Sequence, residues 1–149
     1  MERIEAIIFD WIGTLSAGSK GGVYPYSEKV LKYLKPKYKI GLVSLAGFGI
    51  KKRREDIIKS GLFKYFDSII ISTLKTPEIY IRCMGELGTV PGATAIIDDR
   101  TVKGIKIGNN LGLQTFWVRD SIFDPSPPNK KTGNPTYTIK SVEDLLKIL

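Results

Sequence analysis

The stretch Ala6-Ile7-Ile8-Phe9-Asp10 decides how the rest of the chain is read: four apolar residues in a row, closed by an acid. A half-buried strand alternates apolar and polar residues, so an unbroken apolar run of this length marks a strand covered on both faces. The same signature recurs at Ile40–Val43, Ile69–Ile71, Ala95–Ile97 and Thr115–Val118, and Tyr137–Ile139 adds a last short strand. Between these runs Ser27–Leu34, Ile50–Ser60, Pro77–Leu87 and approximately Val102–Leu111 carry helical spacing. Ser141, with Asp144 three residues on, forms a capping-box-like start to a final helix, Val142–Leu149. Alternating strands and helices predict an α/β domain, a parallel sheet with helices packed on both sides. Two stretches fit neither state: Ser16–Gly22, small and Gly-rich, and Asp120–Pro135 (DSIFDPSPPNKKTGNP), a Pro-rich loop.

Composition narrows the chemistry. The 149 residues fit one domain, 1–149, with no internal repeat and no composition shift to mark a second. Hydrophobic residues at 42% and charged residues at 26% exclude a disordered or collagenous chain. The single Cys83 closes no intramolecular disulfide and reads as a small core residue of the Pro77–Leu87 helix. No histidine is present, which excludes a Ser-His-Asp triad, a His general base and a His-bearing zinc site. Chemistry here must rest on carboxylates, lysine, hydroxyls and backbone amides. No apolar run reaches bilayer-spanning length, and the start MERIEAIIFD lacks the pattern of a signal peptide, so a cytoplasmic protein with no membrane partner is expected. Abundant Ile and Lys with few Asn, Gln, Cys and Met give a thermophile-like composition. Lys plus Arg at 23 against Asp plus Glu at 15 leave a charge of +8, which favours phosphate-bearing partners without specifying a reaction.

In open parallel sheets ligands bind beyond the carboxyl ends of the strands. The residues that follow the apolar runs there are Asp10, Ser44, Lys75 and the pair Asp98-Asp99. Three acids, a hydroxyl and a lysine on one edge make a cradle for a phosphate and a divalent cation. Mg²⁺ takes oxygen ligands and few carboxylates, while lysine neutralises phosphate charge.

These residues lie in four motifs. FDWIGTL, Phe9–Leu15, resembles the first motif of the haloacid dehalogenase-like (HAD) hydrolase superfamily, an apolar strand followed by D-x-D-G-T-L. LVSLAG, Leu42–Gly47, resembles the second, and LKTPEIY, Leu74–Tyr80, the Lys-containing third, one residue shorter than usual. IDDRTVKGIKIGNNLGLQTFWV, Ile97–Val118, is similar to the fourth, with its following helix and strand. The resemblance covers nearly the whole chain. It implies a Rossmann-like three-layer sandwich, a phosphatase-type activity and Mg²⁺. By the same resemblance Asp10 would be the nucleophile, forming an aspartyl-phosphate. The Ile12 carbonyl, Asp10 and Asp99 would bind the metal, with Asp98 beside them where glycine is usual. Ser44 and the amides of Trp11 and Ile12 would hold phosphoryl oxygens, and Lys75 would bridge nucleophile and phosphate.

The departures matter equally. The second Asp of D-x-D, the general acid and base of family phosphatases, is Ile12, which moves no proton. The second acid of the fourth motif aligns with Gly104. Only 33 residues separate Asp10 from Ser44 and 30 separate Ser44 from Lys75, too few for a cap domain, so an open site is expected. Of small-molecule and macromolecular phosphorylated substrates it favours large ones, such as phosphorylated protein or nucleic-acid ends, or it needs a partner chain to close it. Three functions stand: a Mg²⁺-dependent phosphohydrolase, slow for want of an acid; a catalytically degenerate phosphate- or metal-binding regulatory domain; and a nucleic-acid-end phosphatase using the basic surface. Good leaving groups, such as those of aryl, enol and acyl phosphates, would suffer least.

Plainer readings stand beside these. Asp10 could receive amides at a strand-to-loop turn, Ser44 could face solvent, Lys75 could lie on the surface and Asp98 could cap the next turn. Trp11 either borders the site or packs under the following loop. Lys51, Lys52, Arg53 and Arg54 point around most of a helix and form no stripe. Ile50, Ile57 and Ile58 place the apolar face near Arg54, which is expected to snorkel or ion-pair there, a substrate contact being the alternative.

Overall fold

In the computed structural model, residues 3–124 and 126–149 are described, so the reading of Met1 and Glu2 as part of the chain's start, and of Pro125 within the Pro-rich loop, lies outside it. Six strands form one sheet: β1 (Ala6–Phe9), β2 (Lys39–Leu45), β3 (Ser68–Ser72), β4 (Thr94–Asp98), β5 (Gln114–Val118) and β6 (Tyr137–Ile139). Their order is β3-β2-β1-β4-β5-β6, and every pairing is parallel. The register sets Phe9 beside Leu42 on one side and Ile97 on the other, which brings the carboxyl ends of the three central strands level.

Side chains of a strand alternate between the two faces of its sheet, and both faces here are apolar. Ile7, Phe9, Ile40, Leu42, Ala95, Ile97 and Phe116 face one layer, packed by α1 (Ser27–Leu34), α2 (Ile50–Lys59) and the C-terminal α5 (Leu145–Ile148). Ala6, Ile8, Val43, Ile70 and Ile96 face the other, packed by α3 (Pro77–Leu87) and α4 (Lys106–Leu111). This is the expected α/β sandwich of three layers. Cys83 is buried in the second layer, as expected of a small core residue.

The elements differ from the sequence reading mostly at their ends. The helix expected from Val102 opens as a π-helical turn, Thr101–Ile105, and becomes α-helical only at Lys106. The last helix likewise starts as a 3₁₀ turn, Val142–Asp144. Ser141 caps it by accepting from the Glu143 amide, while Asp144 accepts from the amide of Lys140, one residue before the position a capping box would use. Ser16–Gly22 is a knot of short bridges: Ser16 pairs with Ile12 and Val23, and its hydroxyl donates to the Gly22 carbonyl. The Pro-rich loop is pinned by Asn109, which donates to the carbonyls of Thr132 and Asn134, and by Thr101, which donates to that of Ser126.

Among the described residues no further sheet or helical layer lies between β1 and β2 or between β2 and β3. No described helix is long and apolar enough to cross a membrane.

Candidate active site

The strand order reverses direction at β1: β2 and β3 lie on one side, β4 to β6 on the other. A crevice opens at such a switch point beyond the carboxyl ends of the strands, and the acids sit on both of its flanks. Asp10 follows β1, Asp98 ends β4 and Asp99 follows it. All three are buried, each with a carboxylate oxygen within 4.8 Å of the others'. Lys75, in the loop between β3 and α3, reaches into this group. Its Nζ donates to Asp10 Oδ1 at 2.8 Å and to Asp98 Oδ2 at 2.9 Å. Burial alone would pull this ammonium down, but Asp10 and Asp98 outweigh it and hold its pKa well above the ordinary value. The plain alternative of a surface lysine does not hold, since Lys75 is buried.

The loop after Asp10 is built to approach the acids closely. The amides of Thr14, Leu15 and Ser16 all donate to the Trp11 carbonyl, and that of Gly13 donates to the Ser16 carbonyl. The amides of Trp11 and Ile12 take no part in this turn. Gly13 has φ +85°, and a Cβ there would collide with Asp99 Oδ2 and Ser121 Oγ, so glycine is required on both counts. Thr14 Oγ1 donates to Asp10 Oδ2 at 3.3 Å. The Trp11 side chain packs into the core, which settles its two sequence readings in favour of the second.

Asp98 and Asp99 are adjacent in the chain and differ in what they hold. Asp98 Oδ2 accepts from Lys75 and Oδ1 from the Arg100 amide, so both oxygens are engaged and the side chain caps the next turn as well as anchoring Lys75. A Cβ at Gly104 would collide with the Asp98 carboxylate, which fills the space that a side chain at 104 would need. Asp99 Oδ2 accepts from Ser121 Oγ at 2.6 Å, whereas its Oδ1 is buried with no hydrogen-bond donor among the described residues. Burial, then Asp10, then Asp98 push the Asp99 pKa up to about 9. An unpartnered buried carboxylate oxygen beside two more carboxylates, in a site without nitrogen or sulfur ligands, fits a hard divalent cation. Asp10 and Asp99 are the side chains that could hold such an ion, while Asp98, grouped with them from the sequence, is turned toward Lys75.

Asp10, Ile12, Lys75 and Asp99 line a cleft of about 250 Å³ with Leu45, Arg100 and Phe123. Clefts for small molecules usually exceed ~300 Å³, so only part of a ligand would fit inside this one. Larger clefts of about 440 and 750 Å³ lie at the opposite, amino end of the strands, away from the acid cluster. Arg100, on the cleft wall, pairs with Asp124 at 2.9 Å and ties the Pro-rich loop to the site.

Ser44 is fully buried and does not line this cleft. Its Oγ accepts from Arg53 Nη1 at 2.6 Å. The solvent-facing reading of Ser44 therefore fails, and the expectation for the basic run is corrected: Arg53 turns inward, and Arg54 is exposed. Sequence reasoning missed Arg53 by counting Ile50 and Ile58 as inward-facing, when they are 38% and 52% exposed.

Residues 75–145 match a family model described as HAD-hydrolase-like. A pyrimidine 5′-nucleotidase, PynA of Streptococcus pneumoniae, is 30% identical over 99 residues, covering 62% of this chain and 40% of its own length. The chain thus spans about two fifths of that curated relative. Among solved structures, the magnesium-bound HAD-hydrolase YfnB of Bacillus subtilis is similar with a TM-score of 0.74 and 24% identity, over 87% of this chain and 57% of that one. L-2-haloacid dehalogenase of Xanthobacter autotrophicus shares the fold with a TM-score of 0.79 at 12% identity, over 97% of this chain and 98% of that one.

Proposed function

The chain belongs to the haloacid dehalogenase-like superfamily of hydrolases, and from that premise we propose that it is a Mg²⁺-dependent phosphohydrolase acting through Asp10 on an open, uncapped site. The observation that carries this reading is the buried bridge of Lys75 between Asp10 and Asp98, with Asp99 Oδ1 unpartnered beside it. A cluster of that kind has little use as a scaffold, because each buried charge costs desolvation that a well-packed apolar residue would not.

Asp10 would attack phosphorus, forming a bond from its carboxylate oxygen while the bond from phosphorus to the ester oxygen breaks. That ester oxygen leaves with the electron pair. Water then attacks phosphorus, inorganic phosphate departs and the Asp10 carboxylate is restored. Lys75 holds one Asp10 oxygen in place and would offset charge as the phosphoryl group approaches, and the amides of Trp11 and Ile12 would donate to its oxygens. A cation held by Asp10, Asp99 and the Ile12 carbonyl would neutralise and orient that group.

Ile12 lines the cleft where a proton donor would act, so the leaving oxygen departs without a proton. This selects esters whose alcohol is acidic, and it slows attack of water in the second step. The nucleotidase named above makes nucleoside monophosphates one class to test. The missing acid also supports a second reading, a domain that binds phosphate or metal without turnover. Purified protein assayed on phosphate esters spanning leaving-group pKa, with and without Mg²⁺ and beside Asp10→Asn, separates the two. Mg²⁺-dependent hydrolysis that steepens with leaving-group acidity and vanishes in Asp10→Asn is expected. Binding without hydrolysis of any ester would establish the second reading. Marked salt dependence on phosphorylated oligonucleotide ends would instead favour a nucleic-acid substrate.

A further inference from the structure

Arg53 takes no part in the proposed hydrolysis, although it is the one member of the basic run that turns inward. β2 ends at Leu45 and α2 begins five residues later, so the first turns of α2 stand against the carboxyl end of β2. There Arg53 Nη1 donates to Ser44 Oγ at 2.6 Å and to the Leu45 carbonyl at 3.0 Å. Leu45 is a wall of the acid cleft that Asp10 also lines, and the Asp10 carboxylate acts on the Arg53 charge, partly offsetting the effect of its burial.

Two donor capacities at this spot are unspent. A guanidinium only donates, so Ser44 Oγ is the acceptor in their bond and its own proton must point elsewhere. No acceptor among the described residues takes that proton, although Ser44 is fully buried. Arg53 keeps its Nε and Nη2 donors free of any hydrogen bond among the described residues, and it forms no ion pair there. Asp56, one turn on along the same helix, acts on the Arg53 charge without bonding to it and is engaged by Ser19 at 2.7 Å and Lys52 at 3.4 Å. A half-buried, unpaired guanidinium and a buried hydroxyl with a spare proton share one chemical complement, an anionic oxygen.

We propose that Arg53 forms an anion subsite at the edge of the cleft, binding phosphoryl oxygens of the substrate directly from a side chain that Ser44 Oγ and the Leu45 carbonyl hold in place. This rests on the phosphohydrolase reading and adds a binding residue to it. Three carboxylates converge on the site against one lysine, so even a divalent cation only balances the charge before a phosphate arrives. Arg53 makes the site cationic toward a phosphate monoester dianion, and the subsite therefore favours monoesters over singly charged diesters.

Titration calorimetry with inorganic phosphate at saturating Mg²⁺ tests this on the wild type, Arg53→Gln, Arg53→Lys and Arg54→Gln, alongside kcat and KM on an aryl phosphate. Arg53→Gln should weaken phosphate binding roughly ten- to a hundredfold, the range expected for lost charge-assisted hydrogen bonds. Arg53→Lys should recover part of it, and Arg54→Gln should stay within about twofold, as expected of an exposed charge. If Arg53→Gln does not fold, Ser44→Ala carries the test and should weaken phosphate severalfold. Equal affinity in wild type and Arg53→Gln, an equal loss in Arg54→Gln, or no phosphate binding by the wild type would each overturn the subsite. Arg53-dependent phosphate binding without turnover would keep the subsite and remove the hydrolase reading. Turnover with Arg53-independent affinity would do the reverse.

Discussion

Asp98 and Gly104 stand in exchanged positions relative to the motif that this part of the chain resembles, with acid where glycine is usual and glycine where acid is usual. The structure gives the exchange a physical basis, because the Asp98 carboxylate fills the space over Gly104 and reaches Lys75 from there. Gly104→Ala should therefore cost about 1–3 kcal/mol in urea unfolding, as expected for overpacking, and should loosen Lys75 from its second anchor. Restoring both residues at once, Asp98→Gly with Gly104→Asp, should be more stable than the sum of the single changes predicts, since the two sites share one space. Strict additivity would show that the collision is relieved in some other way.

Ile12 carries the other residue-scale prediction. An alkoxide leaving group needs a proton far more than a phenolate does, so Ile12→Asp should raise turnover of alkyl phosphates more than of aryl phosphates. Its fold should be checked first, because the new carboxylate joins a site that already holds three. A folded, Mg²⁺-binding variant that gains nothing on either class would mean that acid catalysis is not what limits the protein.

At the scale of elements, the central strands were legible because burial on both faces leaves an apolar run; the edge strand β6, with Thr138 exposed, carries no such run. The helix α3 was legible to the residue, since Pro77 opens it and Gly88, at φ +70°, closes it. Legibility failed where a local rule was overridden by packing. On α2 only Ile57 is buried; Arg53 lies one turn before it, about 40° off its direction, and Arg54 about 60° off on the other side. Side chains of a helix lean toward its amino end, which carries Arg53 back onto Ser44 and Leu45. The π-helical opening at Thr101–Ile105 also escaped the sequence, because no residue type signals it. It brackets Gly104, where Asp98 folds in, in keeping with the tendency of such turns to occur at functional sites. In the site, the identity and order of Asp10, Lys75, Asp98 and Asp99 could be read from the strand ends. Which acid faces the lysine and which keeps a free oxygen could not, since both follow from side-chain directions over two adjacent residues.

Across the whole molecule, the acid cluster links cation binding to stability. Asp99, with its pKa pushed up to about 9, keeps its proton in the folded, metal-free protein where the unfolded chain has already lost it. Between the ordinary carboxylate pKa of about 3.9 and about 9, the native state thus binds more protons, and the metal-free protein should lose stability as pH rises through this window. A cation competes with that proton, so Mg²⁺ affinity should rise with pH up to about 9, and the gain in melting temperature on adding Mg²⁺ should grow in step. Thermal melts at several pH values with EDTA or Mg²⁺ check both; a Mg²⁺ shift that shrinks as pH rises would contradict the assignment. Asp99→Asn, which holds no titrating proton, should flatten the metal-free trend.

The central claim is that Asp10 is a nucleophile whose phosphorylated form is slow to hydrolyse because Ile12 cannot activate water. Intact-protein and peptide mass spectrometry, after acid quenching of the protein with an aryl or acyl phosphate and Mg²⁺, tests it directly. The predicted result is one phosphoryl group on Asp10, accumulating in the wild type, absent from Asp10→Asn and absent with EDTA. Turnover that proceeds with no adduct on Asp10, or that survives in Asp10→Asn, would contradict it.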